Sequence, residues 1–116
     1  MMASIEAAYR GNDMKALAEV TFLGEQCWVQ NSRYEDNGRI ALILVIKDTG
    51  EQMAVATVNM PEVELEDDEV LIKDWSENEG ILKALVGAKV LSRPTALVPV
   101  GFVAAHRCRV IPIFLE

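Results

Sequence analysis

Nine carboxylates lie between positions 61 and 80, namely Glu62, Glu64, Glu66, Asp67, Asp68, Glu69, Asp74, Glu77 and Glu79, with Lys73 the one cation among them. The 116-residue chain has a formal net charge of −7, so this stretch carries more than the whole imbalance and the rest of the chain is slightly positive. Charge gathered this way makes a local field that steers a basic partner or attracts cations. A solvated acidic loop would have the same composition, and the sequence leaves both readings open. A calcium loop needs alternating Asp/Asn, a turn glycine and a terminal Glu at fixed spacing, and that pattern is missing here. In the extended text from Glu62 to Glu66, Val63 and Leu65 alternate with three carboxylates, which would then share one side. Trp75, between Asp74 and Ser76, would anchor an interface if exposed and cap the core if not.

His106 is the only histidine, and Cys108 follows two residues later. On a strand the two share a face about 7 Å apart, too far for the direct hydrogen bond of a nucleophile–base pair. Two ligands do not make a zinc site either. Arg107 and Arg109 occupy the opposite face, in a C-terminal third rich in cations (Lys83, Lys89, Arg93). They are expected to pair with the acidic stretch of the same molecule. No glycine-rich phosphate loop or catalytic triad pattern is present, so no enzyme activity and no cofactor are expected.

These residues must be positioned by a small domain. The length fits one domain, 1–116, with residues 1–17 a peripheral helical or disordered segment. Hydrophobic residues make up 51% and aromatics 6%, which favours an aliphatic sheet–helix core over an aromatic platform for single-stranded nucleic acid. The acidic balance argues against direct nucleic-acid binding, which needs clustered Lys and Arg. The N-terminus lacks a basic and apolar leader pattern, and the charge-free run from Pro94 to Ala105 is shorter than the ~20 residues of a bilayer span. A cytoplasmic protein with reduced Cys27 and Cys108 is therefore expected.

Residues 18–30 read as one strand, with alternating β-branched and aromatic residues. Asn37-Gly38 signals a hairpin turn, residues 39–46 a central strand, and Asp48–Glu51 a turn into a third strand at 52–59. Pro61 ends that strand, and 70–73 is a brief fourth. Ser76-Glu77-Asn78-Glu79 spells a capping box for a helix over 76–86, which Gly87 would stop. Residues 90–91 and 96–98 are short edge pieces between prolines. Cys108–Leu115 reads as a last strand, at an edge because of Pro112. The fold expected is α+β: an antiparallel sheet of about five strands with one helix packed on one face.

The run Val58-Asn59-Met60-Pro61, then Ile72-Lys73-Asp74-Trp75-Ser76-Glu77-Asn78-Glu79-Gly80 opening a helix, resembles a pattern of small uncharacterised proteins carried by bacterial plasmids and phages. Gly101-Phe102 and the Cys108-Arg109 strand are similar to that family's tail. The resemblance implies a mobile-element origin, among whose small acidic products are inhibitors of host defence systems, anti-CRISPR-like or other. It carries no activity onto any residue. Two functions are thus expected in competition. One is an acidic binding protein that offers Glu62, Glu64, Glu66, Asp67, Asp68, Glu69, Asp74, Trp75 and Glu77 to a partner with a basic surface. The other is a metabolite- or metal-binding protein or enzyme using His106 and Cys108. Composition does not set the oligomeric state, and a homodimer is compatible with it.

Overall fold

The computed structural model describes residues 18–112. The segment 1–17, expected to be peripheral and helical or disordered, lies outside the described residues, as does the end of the last expected strand.

Strand β1 (Ala18–Phe22) and strand β2 (Glu25–Arg33) form a hairpin, not the single strand expected over 18–30. Leu23 and Gly24 turn the chain with φ of +52° and +81°. Both central residues are left-handed, as a two-residue turn needs if it is to match strand twist. Strand β3 (Ile40–Ile46) pairs with β2, and β4 (Gln52–Val55) with β3, giving a four-stranded sheet in sequence order. From Ile40 to Val45 every residue of β3 is buried, in keeping with an apolar run that alternates with nothing polar.

The chain then leaves this sheet at a corner. Ala56 N–H still donates to Leu42 O at 2.8 Å, but Thr57 already bridges Ile72 on strand β5 (Glu69–Ile72). Val58 N–H donates to Leu71 O, and Lys73 N–H to Ala56 O. Beyond β5 come a 3-10 turn (Ser76–Asn78), helix α1 (Ile81–Gly87), strand β6 (Ala96–Val100) and strand β7 (Val103–Arg109). The second sheet has the order β5-β7-β6 and is antiparallel throughout. The class is α+β as expected, with seven strands among the described residues divided between sheets of four and three. The division follows from the corner at 56–58, where one extended segment pairs with β3 and then with β5.

The last strand runs 103–109 and lies at the centre of its sheet, correcting the edge expected from Pro112. Pro112 falls beyond the ladder, and the prolines that do mark an edge are Pro94, just before β6, and Pro99 within it. Leu42, Leu44, Val70, Ile72, Ile81, Leu85 and Cys108 meet in one buried core between the sheets and α1. Burying such a side chain contributes about 1.5–3 kcal/mol each.

The capping box is not formed. Ser76 makes no side-chain cap bond and has φ of +54°, and α1 starts five residues later than expected. Asp74 takes the role instead: its Oδ1 accepts the Gly80 N–H at 2.6 Å, bridging the 3-10 turn. Asn78 is buried, and its Nδ2 donates to Val55 O at 2.8 Å, which ties the turn to β4. At its far end α1 runs through Gly87 to Ala88. Lys89 (φ +65°) donates to Val86 O and Val90 to Leu85 O, a Schellman closure with lysine where glycine is usual.

Candidate functional site: an acidic strap held by arginines

Residues 60–68 form a strap across the outer face of the three-stranded sheet. Two turns shape it, closed by Val63 N–H to Met60 O and by Glu69 N–H to Glu66 O. The extended run expected over 62–66 is therefore interrupted at its start, with Glu62 inside the first turn. In the second turn Glu69 Oε1 also accepts the Glu66 N–H at 2.9 Å, so backbone and side chain bond reciprocally.

Arginines fasten the strap from beneath. Arg39, at the head of β3, donates from Nη1 to Met60 O at 2.8 Å and from Nη2 to Val63 O at 2.6 Å. Arg107, central on β7, donates from Nη2 to Glu64 O at 3.2 Å. Arg109 Nη1 bonds Asp68 Oδ1 at 2.6 Å, and its Nη2 lies 3.6 Å from Glu69 Oε2. The Asp68 carboxylate beside it raises the Arg109 pKa above its ordinary value. Ahead of the strap, Asn59 accepts from Asn37 Nδ2 and donates to Asp36 Oδ1, and Tyr34 Oη lies 2.8 Å from Thr57 Oγ1. The pairing of Arg107 and Arg109 with the acidic stretch is thus as expected, though Arg107 holds a carbonyl and not a carboxylate. Arg39 and Asn59 were not foreseen. Nothing local distinguishes an arginine whose acceptors are main-chain carbonyls twenty residues away.

The nine residues expected at a partner face separate into two groups. Glu62, Glu64, Glu66 and Asp67 are exposed, and among the described residues none of them pairs with a cation. Asp68 and Glu69 are engaged with Arg109, and Glu69 is buried. Asp74 is the cap described above, and Trp75 is half-buried at the start of the 3-10 turn. Glu77 bonds Lys73 Nζ at 2.9 Å, and that hydrogen bond holds its carboxyl below the usual range. Holding the strap by its main chain has a consequence for charge. Arg39 and Arg107 fix the backbone without neutralising the side chains that point outward.

Two clefts flank the strap. One, of about 450 Å³, opens between Arg33, Arg39 and the turn at 66–69. The other, of about 570 Å³, lies between Arg39, Arg107, Arg109 and the side chains of Glu64 and Glu66. Each is lined by arginines and carboxylates together.

His106 and Cys108 lie on the core-facing side of β7, paired with Ile72 and Val70. Cys108 is fully buried, and burial pushes its thiol up to about 12, so it stays protonated at neutral pH. Burial raises Cys27 as well, its buried thiol standing 3.5 Å from Met53 Sδ. Among the described residues no group of three His, Cys, Asp or Glu comes together as a metal site, and no helix is long and apolar enough to cross a membrane. No family model, curated protein or solved structure matches this chain.

Proposed function

We propose that this chain is a non-enzymatic binding protein whose strap carboxylates, Glu62, Glu64, Glu66 and Asp67, meet the basic surface of a protein partner. The kind of partner that fits is one built to handle nucleic acid, since its phosphate-binding surface is rich in Lys and Arg. With the mobile-element resemblance, the reading becomes an inhibitor that occupies such a surface in a bacterial defence system.

The observation that supports it most is how the strap is held. Arg39 takes two of its carbonyls and Arg107 a third, while the four carboxylates remain exposed and unpaired among the described residues. In a solvated loop such fixation adds only to fold stability. A binding face gains more, because ordering the loop in advance removes part of the entropy cost of association. The alternative through His106 and Cys108 lacks comparable support, since the Cys108 thiol is buried and protonated.

The test is association kinetics with a captured host partner at two salt concentrations, for the natural chain and for a variant with Glu62→Gln, Glu64→Gln, Glu66→Gln and Asp67→Asn. Rim charges act chiefly on the on-rate, so the variant should associate about tenfold more slowly and lose most of its salt dependence. Equal on-rates would reduce the strap to a solvated loop.

A further inference from the structure

The three-stranded sheet ends in an open edge. β6 pairs with β7 on one side, and among the described residues no strand pairs with it on the other. The β6–β7 turn has two residues, Gly101 (φ +62°) and Phe102, so the Val100–Val103 pair that closes it is hydrogen-bonded. Alternation then aims Val100, Val98 and Ala96 at β7 and leaves the N–H and C=O of Leu97 pointing outward, with the C=O of Pro99 beside them. The edge is also apolar: Leu97 is 63% exposed, and Phe102 at the turn is fully exposed. Long exposed edges invite indiscriminate pairing. Here Pro99 removes one donor and confines the free edge to a short stretch with a defined register.

The two faces of this edge differ. Leu97 pairs with His106, which pairs with Ile72, so Leu97 extends the core-facing side beyond the core. Ala96 pairs with Arg107, whose guanidinium reaches Glu64 O on the opposite side. A strand laid along β6 would lie two strand spacings, about 10 Å, from β7. A lysine or arginine on that strand together with a strap glutamate can span this separation.

We propose that the open edge of β6 accepts an extended basic segment of the partner as an added strand. Its cationic side chains meet Glu64 and Glu66, which the β7 arginines flank, and the alternate apolar ones cover Leu97. The inference rests on the basic-partner reading above and adds the mode of binding. Main-chain bonds along β6 would supply affinity, and the alternation of charge and apolarity the specificity.

The test uses the full chain labelled for amide NMR and a short blocked peptide that alternates lysine with valine. A second peptide of the same sequence carries N-methyl groups on alternate backbone amides, which abolishes strand pairing and keeps the charge. The first peptide should bind saturably at low salt, shifting amides of Ala96, Leu97 and Val98 together with those of the strap. N-methylation and Leu97→Pro should each weaken binding about tenfold or more, with Leu97→Ala weaker in effect. Should Leu97→Pro fail to fold, the two peptides still decide the question on the natural chain. Equal binding of both peptides, with shifts confined to the strap, overturns strand addition and leaves the basic-partner reading standing. Self-association that Leu97→Pro abolishes and the peptide cannot displace assigns the edge to a second copy and overturns the proposal. Absence of binding by either peptide at low salt overturns both readings.

Discussion

The Arg39 guanidinium donates to the Val63 carbonyl at 2.6 Å, and its other terminal nitrogen donates to Met60 O. One side chain at the head of β3 thus fixes both ends of the first turn of the acidic strap. Hydrogen bonds from a charged donor are worth more than neutral ones, because the full charge strengthens the attraction to the carbonyl oxygen.

Arg39→Gln should therefore cost roughly 1.5–3 kcal/mol, and less where the site stays wet. The local readout is sharper than the global one. The Val63 amide, bonded to Met60 O, should lose its protection from hydrogen exchange while the β3 amides keep theirs. Unchanged exchange at Val63 would mean that the strap holds its shape without the arginine.

At the start of α1 two neighbouring substitutions should part company. Asp74→Ala removes the acceptor of the Gly80 N–H and should cost about 1 kcal/mol. Ser76→Ala removes no cap bond and should leave the denaturation midpoint nearly unchanged. The capping-box motif made the opposite forecast. It failed because the Ser76 backbone sits at φ +54° and cannot serve as an extended cap residue. Equal losses in both variants would restore Ser76 to that role.

What the residues declared, and what they concealed, follows the range of each interaction. The turn at Asn37-Gly38, the doubly buried β3 and the turn before β4 were legible because each is set by its own neighbours. The corner at 56–58 was not, since pairing first with Leu42 and then with Leu71 and Ile72 depends on segments distant in sequence. The acidic strap was visible as charge, but its fastening by Arg39 and Asn59 was invisible for the same reason. The β1–β2 turn was hidden differently, because Leu23 continues an apolar alternation and does not advertise a turn.

Leu23 is exposed and left-handed, a conformation that costs a leucine roughly 1 kcal/mol and suits asparagine. Leu23→Asn creates Asn-Gly at a turn of the matching type and should stabilise the chain by about 0.5–1 kcal/mol. Lys89→Gly should do the same at the helix closure, where φ is +65°. Urea midpoints that fall in both variants would show that the native side chains make contacts worth more than the backbone strain.

Cys108 makes the chain's stability depend on alkaline pH. An exposed thiol ionises near 9.0, whereas burial pushes the folded one up to about 12. The folded pKa is raised, so the stabilisation is whole below 9.0 and is lost as pH climbs towards about 12. Between those values the unfolded state has released a proton that the folded state keeps, and stability falls with a slope approaching 1.4 kcal/mol per pH unit, at most about that. Cys27, raised by burial and by Glu25, adds in the same direction. Cys108→Ala leaves a small cavity and should be less stable than the natural chain at neutral pH. Its disadvantage should then shrink above 9.0, because the variant lacks the Cys108 thiol that the natural chain ionises on unfolding, while Cys27 contributes equally to both. Denaturation midpoints of the two proteins on either side of that pH measure the difference directly. A gap between them that stays constant with pH would place the Cys108 thiol in contact with water, and the sealed core between the two sheets would have to be redrawn.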